Sequence, residues 1–277
     1  MNENNQIASL YICSTSNFMN FHLVKTEKQA RILYIILARP EKKNALNDHM
    51  VKELTEAIHM AEHDPDVKVV ILKSEGDVFS AGADLDYLQR LQQFSYEENL
   101  ADSSLLKGLL FKIYSLNKIV IAQVEGHAIA GGCGLASVCD FCFAVPEAKF
   151  GYTEVKIGFI PALVMVFLIR KISGTKAREL LFTGKLIAAE EAAACGLINE
   201  VIPKVDIAKT VLQFAKSLCE GASGQSLAST KKMFTKVASM ELSEALEYAA
   251  QMNALTRSSD DCKRGIGAFL NKEKFKW

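Results

Sequence analysis

The sequence predicts an α/β fold that ends in a helical region. Two observations carry this. Short β-branched runs alternate with segments of helical periodicity, the pattern of strands joined by helical crossovers. From residue 225 to residue 270 the strand signal disappears, while apolar residues such as Leu242, Leu246, Ala249 and Met252 recur at helical spacing. With 49% of its 277 residues hydrophobic, the chain easily builds a sizeable core.

Residues Met1 to Asn20 are polar and loosely patterned, without the basic start and apolar centre of a secretory signal. They are expected to form a flexible extension. Strands are expected over Ile32–Leu37, Val67–Leu72, Lys118–Val124, Phe141–Ala144 and Leu197–Ile202. Helices are expected over Asp48–Glu62, Asn99–Ser115, Gly131–Ser137, Val164–Ile172, Lys176–Phe182, Ala188–Ala194 and Ile207–Cys219, then Ser226–Ala238, Leu242–Met252 and Asp260–Leu270. The organisation is therefore an extension over 1–20, a core over 21–205 and a helical region over 206–277. The most apolar stretch, Ile157 to Ile169, is too short to span a bilayer.

Lys plus Arg (32) equals Asp plus Glu (32), so no net field points to nucleic acid or an anionic membrane. The seven cysteines form no framework and read as free thiols of a cytoplasmic protein. Cys139 and Cys142 make a C-x-x-C, but within the apolar run Val138–Val145 they read as buried strand residues. No nearby His or second C-x-x-C completes a metal site, so no metal is expected.

Chemistry points to three segments. In Phe79-Ser80-Ala81-Gly82-Ala83-Asp84-Leu85, small residues let a ligand approach the backbone, and Asp84 is placed to cap a helix from Leu85. An ordinary strand-to-helix loop is the competing reading. In Gly126-His127-Ala128-Ile129-Ala130-Gly131-Gly132-Cys133-Gly134, a glycine-rich turn follows a strand and opens a helix with free N–H groups. Neither a G-x-G-x-x-G nor a Walker sequence is present, which leaves an oxyanion-type donor or tight helix–sheet packing. In Lys149-Phe150-Gly151-Tyr152-Thr153-Glu154, the carboxylate sits among apolar and small neighbours. Partial desolvation would raise its pKa into the range of an acid/base; a surface glutamate is the alternative.

Taken in order, R-P-x-x-x-N-A-L (Arg39 to Leu46), F-S-A-G-A-D-L, G-x-A-x-x-G-G-C-G-L-A-x-x-C-D, F-G-x-x-E-V-x-I-G-x-x-P and the closing G-x-x-A-F-L-x-K resemble the crotonase (enoyl-CoA hydratase/isomerase) superfamily. The resemblance implies a spiral of ββα turns with a helical C-terminal trimerisation region, assembled as a homotrimer or a hexamer. It implies an acyl-CoA thioester as substrate, with no separate cofactor. The N–H groups of Ala83 and Gly131 would form an oxyanion hole, Glu154 would move the proton, and Lys42, Ala45, Ser80, Ala81, Asp84 and Leu85 would lie along the CoA.

Two places depart from the pattern: after Pro161 the chain reads Ala162-Leu163-Val164-Met165 where the family has glycines, and a carboxylate is missing. Typical hydratases of the superfamily carry a second glutamate where this chain has Gly134. With Glu154 alone, the resemblance is closest to methylglutaconyl-CoA hydratase-like members of leucine breakdown, so syn hydration of a 2-enoyl-CoA is expected. A 3-enoyl to 2-enoyl-CoA isomerase is the alternative, and a non-catalytic acyl-CoA-binding protein a third reading. Lys156, Arg170, Lys171 and Arg264 are the cations considered for a distal carboxylate.

Overall fold

A computed structural model describes residues 21–277; the extension expected over 1–20, with Cys13, lies outside the described residues. The chain runs β1 (Val24–Gln29), β2 (Ile32–Leu37), α1 (Asp48–His63), β3 (Val69–Ser74), β4 (Val78–Ser80), α2 (Leu85–Leu91), α3 (Tyr96–Ser115), β5 (Ile119–Val124), β6 (His127–Ile129) and α4 (Gly131–Ser137). It continues through β7 (Phe141–Ala144), β8 (Lys149–Gly151), α5 (Ala162–Lys171), α6 (Gly174–Thr183), β9 (Ile187–Ala188), α7 (Ala189–Ala194), β10 (Glu200–Val201), α8 (Ile207–Gly221), α9 (Gly224–Val237), α10 (Leu242–Arg257) and α11 (Asp260–Leu270).

Two sheets result, a six-stranded one ordered β1-β2-β3-β5-β7-β10 and a four-stranded one ordered β4-β6-β8-β9. The pairs β3/β4, β5/β6 and β7/β8 each place one strand in the large sheet and the next in the small one before a helix returns the chain. That is a spiral of ββα turns. From β2 to β10 the large sheet is parallel, and β2, β3, β5 and β7 are almost wholly buried, as their unbroken apolar runs require. β1 pairs antiparallel with β2 at the edge. Its sequence VKTEKQ has a single apolar residue, so hydrophobic patterning does not reveal it.

Local signals explain the helix starts. Asn47 caps α1 by accepting from the Met50 N–H at 2.9 Å, and Met50, Leu54, Ala57, Ile58 and Ala61 form its buried stripe. α3 begins at Tyr96, earlier than the apolar pattern suggests, because Ser95 and Glu98 make a reciprocal capping box. The strand expected over Leu197–Ile202 shrinks to Glu200–Val201, since Gly196 at φ +79° turns the chain and Leu197 and Ile198 enter the core from that turn. Cys142 lies in β7 and Cys139 in the preceding turn; both are buried free thiols, and burial pushes the Cys142 thiol up to about 12.

α8 buries Ile207, Val211, Ala215 and Cys219 against the large sheet, so the outward-facing helices begin at α9 rather than at residue 206. α9 is anchored by one buried group. Lys231 Nζ lies 2.6 Å from Asp140 Oδ2 and donates to the Ile113 and Lys118 carbonyls, while Asp140 also accepts from the Val120 N–H. α10 buries none of its residues and leaves Leu242, Leu246 and Leu255 exposed. No described helix is long and apolar enough to cross a membrane.

Lys231→Met strands the Asp140 carboxylate inside the protein. Breaking a buried pair in this way is expected to cost about 3–5 kcal/mol, measured as a lower urea midpoint with an unchanged slope.

Candidate active site

The candidate site is built where parallel strands end and their loops meet. The first loop, after β2, is pinned by Asn44, which is fully buried at φ +50°. Its Nδ2 donates to the Glu75 and Val78 carbonyls, each at 2.8 Å, and its Oδ1 accepts from the Arg39 N–H. This loop then pairs with the second one. Leu46 N–H donates to Gly82 O at 2.7 Å, Asp84 N–H to Leu46 O at 2.9 Å and Ala81 N–H to Lys43 O at 3.0 Å. In that alternation the intervening Ala83 N–H has no acceptor among the described residues, and Ala83 is exposed.

Asp84 holds the second loop from below. It caps α2 through the Tyr87 N–H at 3.1 Å and meets Arg39 Nη1 at 2.5 Å. Burial pushes its carboxyl up, but the Tyr87 N–H and the Arg39 guanidinium outweigh that and hold it below the usual range.

The third loop joins β6 to α4. Ala130 sits at φ +50°, ψ −122°, a strained conformation for an L-residue, and donates its N–H to Gly151 O at 2.7 Å. Gly131 is the first residue of α4, and its N–H has no acceptor among the described residues. The second and third loops touch. A Cβ placed on Gly82, at φ +89°, would lie 2.8 Å from Ala130 Cβ, 2.9 Å from Ile129 O and 3.4 Å from Gly131 N. One placed on Gly132 would lie 2.4 Å from Ser80 O. Two free amides, from Ala83 and Gly131, thus belong to abutting loops.

Glu154 reaches the same corner through β8, which pairs with β6 at Ala128↔Phe150 and Ile129↔Gly151. It opens a 3-10 turn over Glu154–Ile157. The residue is 9% exposed, and its Oε2 has no hydrogen-bond partner. Burial raises its pKa above the ordinary glutamate value, only partly opposed by its own backbone N–H.

Gly134, in the second turn's helix, faces α5. A Cβ there would lie 2.1 Å from Val164 Cγ1. Val164 therefore fills the space into which a side chain at position 134 would grow. In the sequence Val164 stands out only as part of the stretch that replaces glycines after Pro161, with no contact to Gly134 foreseen, and Arg39 and Asn44 only as letters of a motif. The R-P-x-x-x-N-A-L segment was the signal for those two.

The remaining candidates divide. Lys42 is exposed and pairs with Asp86 at 2.8 Å, Leu85 is 75% exposed, Ala45 is buried and Ala81 half-buried. Ser80 is fully buried beneath Gly132, with its Oγ accepting from the Gly82 N–H at 3.3 Å. His127 is exposed, whereas Tyr152 is buried and its hydroxyl bonds Ser137 Oγ. Lys171 is committed to the Ser137 and Cys139 carbonyls, Arg170 donates to Val166 O, and Arg264 stacks on Phe275 and Trp277. Among the described residues, His59, Glu62 and His63 of α1 group their ligating atoms, but Lys112 Nζ already sits 3.1 Å from His59 Nδ1 and 3.4 Å from Glu62 Oε2.

Comparison with known proteins shows the family. The sequence model of the family described as Enoyl-CoA hydratase/isomerase matches residues 27–277. A Thermus thermophilus relative named as an enoyl-CoA hydratase is 40% identical over 253 residues, covering 90% of this chain and 98% of its own. The crotonyl-CoA hydratase of Syntrophomonas wolfei is 31% identical over 92% of this chain and 98% of its own. The crystal structure of human enoyl coenzyme A hydratase domain-containing protein 3 superposes with a TM-score of 0.87 at 30% identity, covering 92% of this chain and all (100%) of that one. The chain belongs to the enoyl-CoA hydratase/isomerase family.

Gly82→Ala forces the abutting loops apart at a positive-φ position. We expect a stability loss of about 1–3 kcal/mol and a kcat/KM lowered by up to about a hundredfold on the best enoyl-CoA substrate, measured by calorimetry and steady-state kinetics.

Proposed function

We propose that this member of the family catalyses syn hydration of a 2-enoyl-CoA, with Ala83 and Gly131 holding the thioester oxygen and Glu154 moving the proton. The observation that carries the reading is Glu154, a buried carboxyl with an unpartnered oxygen, one short strand away from two free amides on touching loops. As water adds to C3, the thioester oxygen gains negative charge, and preorganised N–H donors of this kind are worth about 3–4 kcal/mol each. Glu154 takes a proton from the attacking water and delivers it to C2, so the carboxylate ends as it began. A raised pKa suits both halves of that exchange.

The acyl-CoA would run along Ala45, Ala81 and the exposed Leu85, with Lys42 exchanging Asp86 for a CoA phosphate. Ser80 and Asp84 would serve from beneath, holding the loop backbone. For a methylglutaconyl-CoA-like substrate, Lys156 is the supporting cation, since it shares the 3-10 turn of Glu154. The exposed Leu242, Leu246, Phe269 and Leu270 of α10 and α11 support a homotrimer or hexamer, and the buried free thiols support a cytoplasmic setting.

A specific observation favours a second reading. With Val164 against Gly134, no second carboxylate orients water. A lone Glu154 then suffices for carrying a proton between C2 and C4, which is 3-enoyl to 2-enoyl-CoA isomerisation.

Incubation with a panel of enoyl-CoA thioesters, followed by mass, separates the two, since only hydration adds water; an unchanged panel refutes both. Glu154→Gln should lower kcat by roughly 10²–10⁴-fold. Native activity should fall as pH drops through the raised Glu154 pKa. For stability the sign is opposite. A carboxyl whose folded pKa is raised adds stability below its ordinary pKa and loses it as pH rises through the folded value. Glu154→Gln should therefore raise the thermal midpoint at neutral pH while removing activity.

Gly134→Glu alone should be destabilised by about 1–3 kcal/mol through overpacking. Combined with Val164→Gly it should fold and shift the product mass toward hydration; an unaltered product ratio in a folded double variant argues that Val164 has no part in reaction choice.

A further inference from the structure

At the other end of the large sheet lies a second concavity, of about 430 Å³. Arg31, Lys68 and Lys118 immediately precede the parallel neighbours β2, β3 and β5. From the opposite ends of these strands the chain leads to the candidate active-site loops, directly after β2 and by way of β4 and β6 after β3 and β5. Six residues at about 3.3 Å each separate the two by roughly 20 Å. The remaining walls come from the start of α9 at Gly224 and Gln225, and from Asp261, Arg264 and Trp277 at the C-terminal end.

The charge inside this cavity is unbalanced. Four cations, Arg31, Lys68, Lys118 and Arg264, face a single carboxylate, Asp261, in a chain whose net charge is zero. Asp261 is itself engaged by the Ser223 hydroxyl at 2.5 Å. None of the four cations has a carboxylate within salt-bridge reach among the described residues. Lys68 is 4% exposed, and its ammonium donates only to the Cys219 and Ala222 carbonyls. Lys118 donates to the Asp64 carbonyl at 3.2 Å. Burial pushes both lysines below their usual pKa; Arg31 pushes the same way, while Asp261 opposes it at Lys68 and Asp64 and Glu62 oppose it at Lys118. Arg264 lies over Phe275 at 4.7 Å and Trp277 at 5.3 Å, two rings that meet edge to face, and these contacts restrict its guanidinium.

Lys68 is buried, Lys118 half-buried and Arg31 and Arg264 exposed, and several cations without ion-pair partners around one cavity are what a multiply charged anion needs. Guanidinium forks match phosphate oxygens better than a lone carboxylate. We propose that this cavity binds a phosphate-bearing polyanion, of pyrophosphate or nucleoside-diphosphate size, and that the bound anion clamps α9 and α11 to the sheet. It is separate from the acyl-CoA site, and its occupancy does not depend on the reaction there.

Trp277, the chain's single tryptophan, lines the cavity and reports on it directly. Pyrophosphate and ADP, titrated at ionic strength held constant with sodium chloride, should each give a saturable change in tryptophan fluorescence and a higher thermal midpoint. Tighter binding of ADP would identify a nucleotide as the source of the phosphate, and equal binding a free phosphate. Arg31→Gln, at an exposed position, should raise the dissociation constant about tenfold, and Lys118→Met likewise. Glu154→Gln should bind both probes as the native protein does. The proposal is overturned by an absence of saturation at millimolar probe, by a response that chloride reproduces, or by unaltered binding in folded Arg31→Gln and Lys118→Met.

Discussion

The contact on which the site depends is backbone against backbone: residues 80–83 lie on residues 129–132 with no room for side chains between them. Gly82 and Gly132 permit it, since a Cβ on either would fall under 3 Å from the facing loop. The spiral topology makes this contact inevitable. Each turn sends one strand into the large sheet and the next into the small one, so β4, β6 and β8 stack their loops at one corner. Donors brought together in this way are main-chain amides, whose direction is set by the fold and not by rotamers. They need no reorganisation when charge develops on a substrate oxygen.

Rigidity at that corner has a cost, and the structure meets it nearby. Ala130 is strained, and the pairing of its N–H with Gly151 O holds it in place. Asn44 adopts a positive φ but satisfies three backbone groups with one side chain. Glu154 remains the exception, because its buried Oε2 has no partner. Buried polar groups are normally satisfied, so an unmet one beside free amides is more readily understood as a tool than as packing.

Legibility in the sequence followed segment length and directness of cause. β2, β7, α4 and α11 were readable to the residue, because unbroken apolar runs mark the two strands, a glycine turn marks α4, and Ser259 with the acidic first turn Asp260-Asp261 marks α11. The three-residue strands β4, β6 and β8 were not, since nothing periodic fits in so few positions; they appeared only as small-residue loops. Capping chemistry moved the start of α3, and a positive-φ glycine shortened β10. At the candidate site, Ala83, Gly131 and Glu154 stand out in the sequence through their motifs. Val164 was visible only as one of the residues replacing glycines after Pro161; its contact with Gly134, thirty residues away in the chain, is one no local pattern announces.

Those two residues bear on how one scaffold serves more than one reaction. On the proposed reading the amide donors act on the thioester oxygen and are indifferent to what happens at C3 or C4. On that reading the outcome turns on what stands at positions 134 and 164. α5 presses Val164 against α4, and the helix must carry glycine at position 134 for the two to approach. A carboxylate could enter only if α5 gave up volume. Residues 134 and 164 are therefore one determinant rather than two, and a change at either is interpretable only in the presence of the other.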